Sequence, residues 1–488
     1  MSKAAIEGLQ PEILWQRFYE ISQIPRPSKK EEKVVQYLRD FAQQHNLEMK
    51  EDKVGNTVMK LPAKSGYEKA PTVVLQGHVD MVAEKNKGNE HDFDKDPIEL
   101  VRDGEWIKAN GTTLGSDNGI GVAAALAVVS DKDIIHGPLE LLFTIDEETG
   151  MTGVNSLEPG FIEGKTLLNM DSEEDGAFYV GCAGGQDTVG YFDIHTANCT
   201  KNFEAYEILV SGLKGGHSGL DIQEGRANAI KLLARFLTKL HDVSFEVAEI
   251  SGGSKRNAIP REAEAVLMID PRDEIKLKTH LDHFKADLQQ EFRTVDPKLD
   301  LELNKKEGRF EKIFTREFTK KLVDTLLALP HGIIAMNQDI PGLVETSTNL
   351  ATISEEDGKL RVGTSQRSST ESAKEYISHS VAAVFSLAEA EINTGDGYPG
   401  WKPNMESQLL ETSKNVYKNR YNSEPEIKAI HAGLECGILG NKYPGLDMIS
   451  FGPTIENAHS PDERVNIKDV EKFYDLLKGI LENFANRK

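Results

Sequence analysis

Five short stretches of this chain carry side chains suited to binding cations: Gly77-His78-Val79-Asp80, Gly115-Ser116-Asp117-Asn118-Gly119, Asp146-Glu147-Glu148-Thr149-Gly150, Asn169-Met170-Asp171 and Ala458-His459-Ser460. Together they offer two imidazoles and at least three carboxylates, the nitrogen and oxygen donors that suit zinc, manganese or cobalt. Five protein ligands exceed what one catalytic ion with an open position uses. Two ions sharing one carboxylate use all five and leave room for a water between them, so the set predicts a two-metal hydrolytic centre.

A sheet has to position these groups. Thr72-Val73-Val74-Leu75-Gln76, Leu139 to Ile145 and Thr166 to Leu168 read as short strands buried on both faces, and the alanine- and valine-rich stretch 119–130 reads as a packed helix. His78 with Asp80, Glu147 with Glu148, and Asp171 then fall at the carboxyl ends of strands, where open α/β sheets bind their ligands. His459 follows another apolar run, Met448-Ile449-Ser450-Phe451, and reaches the same edge from far along the chain. Nearer the amino terminus, Ser28 is expected to cap a surface helix over 29–45, in which Val34, Val35, Leu38 and Phe41 recur at helical spacing.

From Gly184-Gly185 to the turn-rich Asn393-Thr-Gly-Asp-Gly-Tyr-Pro-Gly400 the chain has no ligand-like cluster but has helix and strand signals of its own. Ile230, Leu233, Leu237 and Leu240 form one helical stripe, Ile377, Val381 and Val384 another, and Ala265 to Ile269 is strand-like. The expectation is a two-domain α/β protein. Residues 1–184 and 396–488 build a catalytic domain with a central, mostly parallel sheet, and 185–395 form an inserted α+β domain with an antiparallel sheet and helices on one face. The sequence displays no internal repeat.

Composition sets outer bounds. A chain of 488 residues with 39% hydrophobic content can bury a substantial core. Its formal charge of -22, from 57 Lys+Arg against 79 Asp+Glu, disfavours nucleic acid and anionic membranes as partners. The amino terminus lacks a secretory pattern and no apolar run approaches the ~18 residues needed to span a bilayer, so a cytoplasmic protein is expected. Cys182, Cys199 and Cys436 are odd in number and have no CxxC spacing, which disfavours a disulfide framework or a thiolate metal site. Neither a Gly-x-Ser-x-Gly elbow nor a supported Cys-His arrangement is present, which argues against acyl-enzyme chemistry.

In chain order, Gln76-Gly-His-Val-Asp-Met81, Thr112-Thr-Leu-Gly-Ser-Asp-Asn-Gly-Ile120, Phe143-Thr-Ile-Asp-Glu-Glu148 and Glu456-Asn-Ala-His-Ser-Pro-Asp462 resemble the motifs of a zinc metallopeptidase family. That family includes aminoacylases, carnosinases and bacterial dipeptidases, and the resemblance spans the whole chain. It implies two divalent ions, zinc with cobalt or manganese able to substitute. His78 and Asp171 would be terminal ligands of one ion and Glu148 and His459 of the other, with Asp117 as the bridge, followed by a cis bond to Asn118. Glu147 is implied as general base. Asp80, on the same side of an extended strand as His78, is the expected acceptor for the imidazole N–H.

In the inserted domain the resemblance assigns His217, within Lys214-Gly-Gly-His-Ser-Gly219, to the developing oxyanion. Arg367 and Asn257 would hold the substrate's terminal carboxylate, and Glu435, within His431-Ala-Gly-Leu-Glu-Cys436, would meet its ammonium group. Taken alone, Gly215-Gly216 reads as a turn, an arginine as solvated, and 431–436 as a glycine turn beside a helix. The implied activity is hydrolysis of small, unblocked dipeptides with broad tolerance, Xaa-His dipeptides such as carnosine included, in a homodimer joined through the inserted lid domain. An N-acyl amino acid amidohydrolase or a tripeptidase would share every metal ligand. A non-catalytic metal-binding scaffold would be expected to have lost Glu147, which is present.

Overall fold

The computed structural model describes residues 2–199, 202–308 and 310–487. The chain divides into two compact units, one of Met1–Gly181, Pro403–Ala429 and Leu434–Lys488 and the other of Cys182–Lys402 with Ile430–Gly433.

The first unit is organised by an eight-stranded sheet in the order Glu48–Glu51, Thr57–Leu61, Leu139–Thr144, Val73–His78, Thr166–Asn169, Asp447–Ser450, Ala177–Cys182 and Glu426–Ile430. Strand Val73–His78 runs parallel to both neighbours, and Asp447–Ser450 runs parallel to Thr166–Asn169. Antiparallel strands flank this parallel centre. Every residue of Val73–His78 and Leu139–Thr144 is buried, as continuous runs covered on both faces require. The helix Ser116–Ser130 is likewise buried on nearly all sides, which explains its small alanine and valine side chains. It packs between the Val73–His78 strand and the helix Glu12–Ser22, whose Leu14, Trp15 and Phe18 are fully covered. The approach is close. A Cβ on Gly77 would stand 2.2 Å from the Asn118 side-chain oxygen, so only glycine fits immediately before His78.

One expectation near the amino terminus is corrected. The helix spans Glu32–Gln44 with Glu31 at its N-cap position and no capping side chain. Ser28 lies three residues before that N-cap position and instead donates its hydroxyl to the fully buried Asp80 carboxylate, at 2.8 Å from Oδ2.

The second unit contains a topological repeat. One copy comprises strand Glu204–Ser211, helix Ala229–Leu237, strands Phe245–Gly252 and Ala263–Ile269, helix Glu274–Glu291 and strand Asp300–Lys306. The other comprises strand Gly184–Asp193, helix Arg316–Ala328, strands Val344–Glu356 and Lys359–Ser368, helix Glu371–Leu387 and strand Glu391–Thr394. In each copy the third strand pairs with the first, and the first also pairs with the fourth, all antiparallel. The second strands of the two copies meet antiparallel and join the halves into one sheet. One copy is inserted between the first strand and first helix of the other. Their helices share a single apolar core with the sheet, in which Ile230, Leu233, Leu281, Phe318, Val381 and Phe385 are buried. Leu240 is also buried, just beyond the end of its helix.

Phe385 shows how tightly this core closes. Its ring packs edge-on to Phe192 at 6.2 Å and lies where a Cβ on Gly190 would come within 2.4 Å. Phe385→Ala should destabilise the protein by about 3–5 kcal/mol, read as a lower denaturant midpoint. A loss below ~1 kcal/mol would mean the site collapses around the deletion.

Candidate metal centre

All five predicted ligands lie in the first unit and converge at the carboxyl edge of its sheet. His78 Nε2 stands 3.1 Å from Asp117 Oδ1 and 3.2 Å from Asp171 Oδ1. His459 Nε2 stands 3.1 Å from the other Asp117 oxygen, Oδ2, and 3.0 Å from Glu148 Oε2. Two histidine–carboxylate groups, His78/Asp117/Asp171 and Asp117/Glu148/His459, therefore share the two oxygens of one aspartate. The peptide bond after that aspartate is cis. The two groups differ in exposure, since the His78 side chain is 1% accessible and that of His459 is 53%.

The donor set fits divalent cations. Glu148 Oε1 is buried and accepts no hydrogen bond, a costly state for a carboxylate oxygen unless a cation satisfies it, and Asp171 Oδ1 has only the His78 imidazole, at 3.2 Å. Charge points the same way. Burial alone would push the His78 imidazole down, yet Asp171, Asp117 and Asp80 outweigh it and hold it well above the usual histidine range. Hydrogen bonds to Asp117 and Glu148 hold His459 up at about 11. Burial pushes the Asp171 carboxyl up to about 7 against the opposing pull of His78.

Asp80 has a wider role than the one predicted for it. It lies 3.3 Å from His78 Nδ1, and its two oxygens also accept from the Glu147 and Glu148 amides at 3.1 and 3.2 Å. One carboxylate thus orients the imidazole and both adjacent glutamates. Glu147 brings a carboxylate oxygen into a group with His78 and Glu148. Burial first, then Asp171, Glu435 and Glu148, push its carboxyl well above the ordinary range, with His78 opposing. Glu435 is 1% exposed, and its Oε2 accepts from Gln76 Nε2 at 2.6 Å and Thr144 Oγ1 at 2.7 Å. Its Oε1 has no donor, and burial raises the carboxyl to about 7.

The remaining predicted residues lie in the second unit. His217 occupies the short strand Gly216–His217, which pairs with Ala258–Ile259. Its Nδ1 accepts from the Gly219 and Leu220 amides, both at 3.2 Å, so the proton of the neutral ring sits on Nε2. Burial and then the Arg367 charge lower its pKa. Arg367 is 6% exposed, donates from Nη1 to the Tyr398 hydroxyl at 2.9 Å, and leaves Nε without a partner. Among the described residues no carboxylate pairs with it. The Asn257 side chain is exposed, while its carbonyl accepts from Ser218 N at 2.8 Å.

Several residues escape the sequence reading. His431 is buried, bonds through Nε2 to Ser347 Oγ at 2.7 Å, and is pushed down to about 3 by burial and the Arg367 charge. Tyr398, the Arg367 partner, carries no sequence signal. Arg26 and Glu463 are buried charges beside the ligand loops, although in sequence each resembles an ordinary surface residue.

Comparison with known proteins agrees with this arrangement. Residues 74–483 match the model of peptidase family M20/M25/M40. The chain is 40% identical over 482 residues to the cytosol non-specific dipeptidase of Escherichia coli (strain K12), covering 98% of each sequence. The structure of aminoacylhistidine dipeptidase from Vibrio alginolyticus superposes with a TM-score of 0.91 at 42% identity, covering 99% of each chain. A tripeptidase from Staphylococcus aureus subsp. aureus Mu50 shares the fold, with a TM-score of 0.57 at 16% identity over 98% of this chain and 100% of that one. The chain belongs to peptidase family M20/M25/M40 and is a hydrolase of peptide bonds.

Proposed function

We propose that the protein is a two-metal dipeptidase that cleaves unblocked dipeptides of varied sequence, Xaa-His dipeptides among them. The observation that carries this reading is the sharing of Asp117 by two histidine–carboxylate groups with Glu147 alongside. His78, Asp117 and Asp171 would hold one ion and Asp117, Glu148 and His459 the other; nitrogen and oxygen donors of this kind favour zinc. Bound there, the ions supply Lewis acidity, lowering the pKa of water and polarising the scissile carbonyl.

The protein's own groups perform the proton transfers and the binding. Glu147 takes a proton from the attacking water and returns it to the departing amine. Asp80 keeps Glu147 in place through its backbone amide. His217, with its proton on Nε2, donates to the oxygen on which charge develops. Arg367, with Asn257, receives the substrate's carboxylate; a buried guanidinium lacking a carboxylate partner among the described residues supports that role. Glu435, whose Oε1 lacks a donor, receives the ammonium group. The likeness to dipeptidases from Escherichia coli and Vibrio alginolyticus supports the choice of substrate length.

The test is a comparison of zinc-loaded protein on Ala-His, N-acetyl-Ala-His and Ala-Ala-His, with products identified. Ala-His should be the preferred substrate. Preference for the acetylated peptide would support an amidohydrolase instead, and preference for the longer one a tripeptidase.

The adjacent glutamates should fail differently when replaced. Glu147→Gln should retain close to its full metal content and lose ~10²-fold or more in kcat, whereas Glu148→Gln should lose metal as well. Near-normal turnover by Glu147→Gln at saturating substrate would remove it as the base. Arg367→Ala should weaken kcat/KM for free dipeptides by roughly 10- to 100-fold while sparing their C-terminal amides. Equal losses on both forms would exclude the carboxylate role.

A further inference from the structure

Glu463 stands in the same turn as His459, between strands Ile455–Glu456 and Arg464–Asn466, and is 2% exposed. Its Oε2 accepts from the Leu114 and Gly115 amides at 2.7 and 3.0 Å. Its Oε1 accepts from the Ser116 amide at 2.7 Å, the Ser116 hydroxyl at 2.6 Å and, more weakly, the Asp117 amide at 3.4 Å. One buried carboxylate therefore gathers the consecutive amides of the segment that ends at Asp117. Charge-assisted bonds of this kind are strong and directional, and loss of the acceptor would leave several buried N–H groups unpaired.

The opposite side of the same segment is held by Arg26. Its Nη2 donates to Gly115 O at 2.5 Å, and its Nη1 donates to Val79 O and Asp80 O at 2.8 and 2.9 Å. The buried cation and the buried anion thus meet across a single residue, which gives its N–H to Glu463 and its C=O to Arg26. Gly115 can do this because its φ is +69° and a Cβ would lie 2.6 Å from Arg26 Nη2. The chain of contacts runs from the His459 turn through Glu463 and Gly115 to Arg26, and from there to the segment following His78. His459 itself sits at a φ of 63°, a backbone state that non-glycine residues hold only when their surroundings enforce it.

We infer that Glu463 is a positioning residue that sets the spacing between His459 and Asp117, and thereby the affinity of the Asp117/Glu148/His459 group for its cation. The inference rests on the two-metal reading and extends it to a residue outside the ligand set. Asp117 is common to both groups, but His459 alone shares a turn with Glu463, whereas His78 and Asp171 come from strand ends that Glu463 does not touch, so the effect falls more on the Asp117/Glu148/His459 group.

Metal-free protein is titrated with zinc against a chromophoric chelator, and secondary structure and denaturant midpoint are recorded without metal. Wild type should bind two ions per chain; a single ion or none would overturn the two-metal reading, and this inference with it. Glu463→Gln should keep its secondary structure, bind one ion within about twofold of wild type, and bind the other roughly 10- to 100-fold more weakly. If wild type binds two ions and Glu463→Gln binds both as tightly, or loses both equally, the positioning role alone is overturned. Should Glu463→Gln fail to fold, Ser116→Ala, which deletes only the hydroxyl donor, decides. Selective weakening of one ion by several-fold supports the role, and two unchanged affinities overturn it.

Discussion

Asp80, Asp117, Glu147, Glu148, Asp171 and Glu435 surround only two imidazoles in a largely buried crevice, and their mutual repulsion is what the first unit must oppose. Burial first, and neighbouring carboxylates after it, raise the carboxyls of Glu147, Asp171 and Glu435, while carboxylate partners raise the imidazoles of His78 and His459 against burial. Neutral hydrogen-bond donors relieve part of the repulsion. Asp80 takes two backbone amides and the Ser28 hydroxyl, and Glu435 takes Gln76 and Thr144. What remains is oxygen without a hydrogen-bond donor on Glu148 and Glu435, so cation binding and the stability of this edge of the sheet are physically linked.

A rigid support makes such crowding sustainable. The parallel centre of the sheet is buried on both faces, and the helix after Asp117 presses so closely on strand Val73–His78 that glycine is needed at position 77. The segments that carry the candidate ligands are tied in addition by the buried charges of Arg26 and Glu463. Arg26 acts through backbone carbonyls and Glu463 through backbone amides and the Ser116 hydroxyl.

The second unit solves a different problem. Its entering and leaving strands pair with each other, Cys182 and Trp401 exchanging backbone hydrogen bonds of 2.9 Å in both directions, so the whole unit can be inserted between neighbouring points of a host chain. Duplication of one strand–helix motif gives it a long antiparallel sheet with one shared core. On that scaffold burial, and after it the charge of Arg367, depresses both His217 and His431, leaving one cation beside two neutral rings. Such an environment suits recognition of an anion by charge and of a carbonyl oxygen by N–H donation.

The chemistry of the ligand set was legible in the sequence because it is local: each candidate sits where an apolar run meets a glycine or acidic turn, and strand ends place such residues at one edge. The α/β class and the helical stripes around Ile230 and Val381 follow from periodicity for the same reason. The partner of Ser28 and the roles of Arg26, Tyr398 and Glu463 follow from contacts between residues far apart in the chain, and a charged residue in a polar stretch reads as solvated until its burial is known. The duplicated topology was equally hidden, because strand pairing rather than composition defines it. Sequence by itself determined which side chains could bind cations and move protons, since those properties belong to residue types. Only the tertiary structure decided that Asp117 lies between two histidines and that one buried carboxylate organises the segment leading to it, because those facts depend on distances that no local pattern encodes.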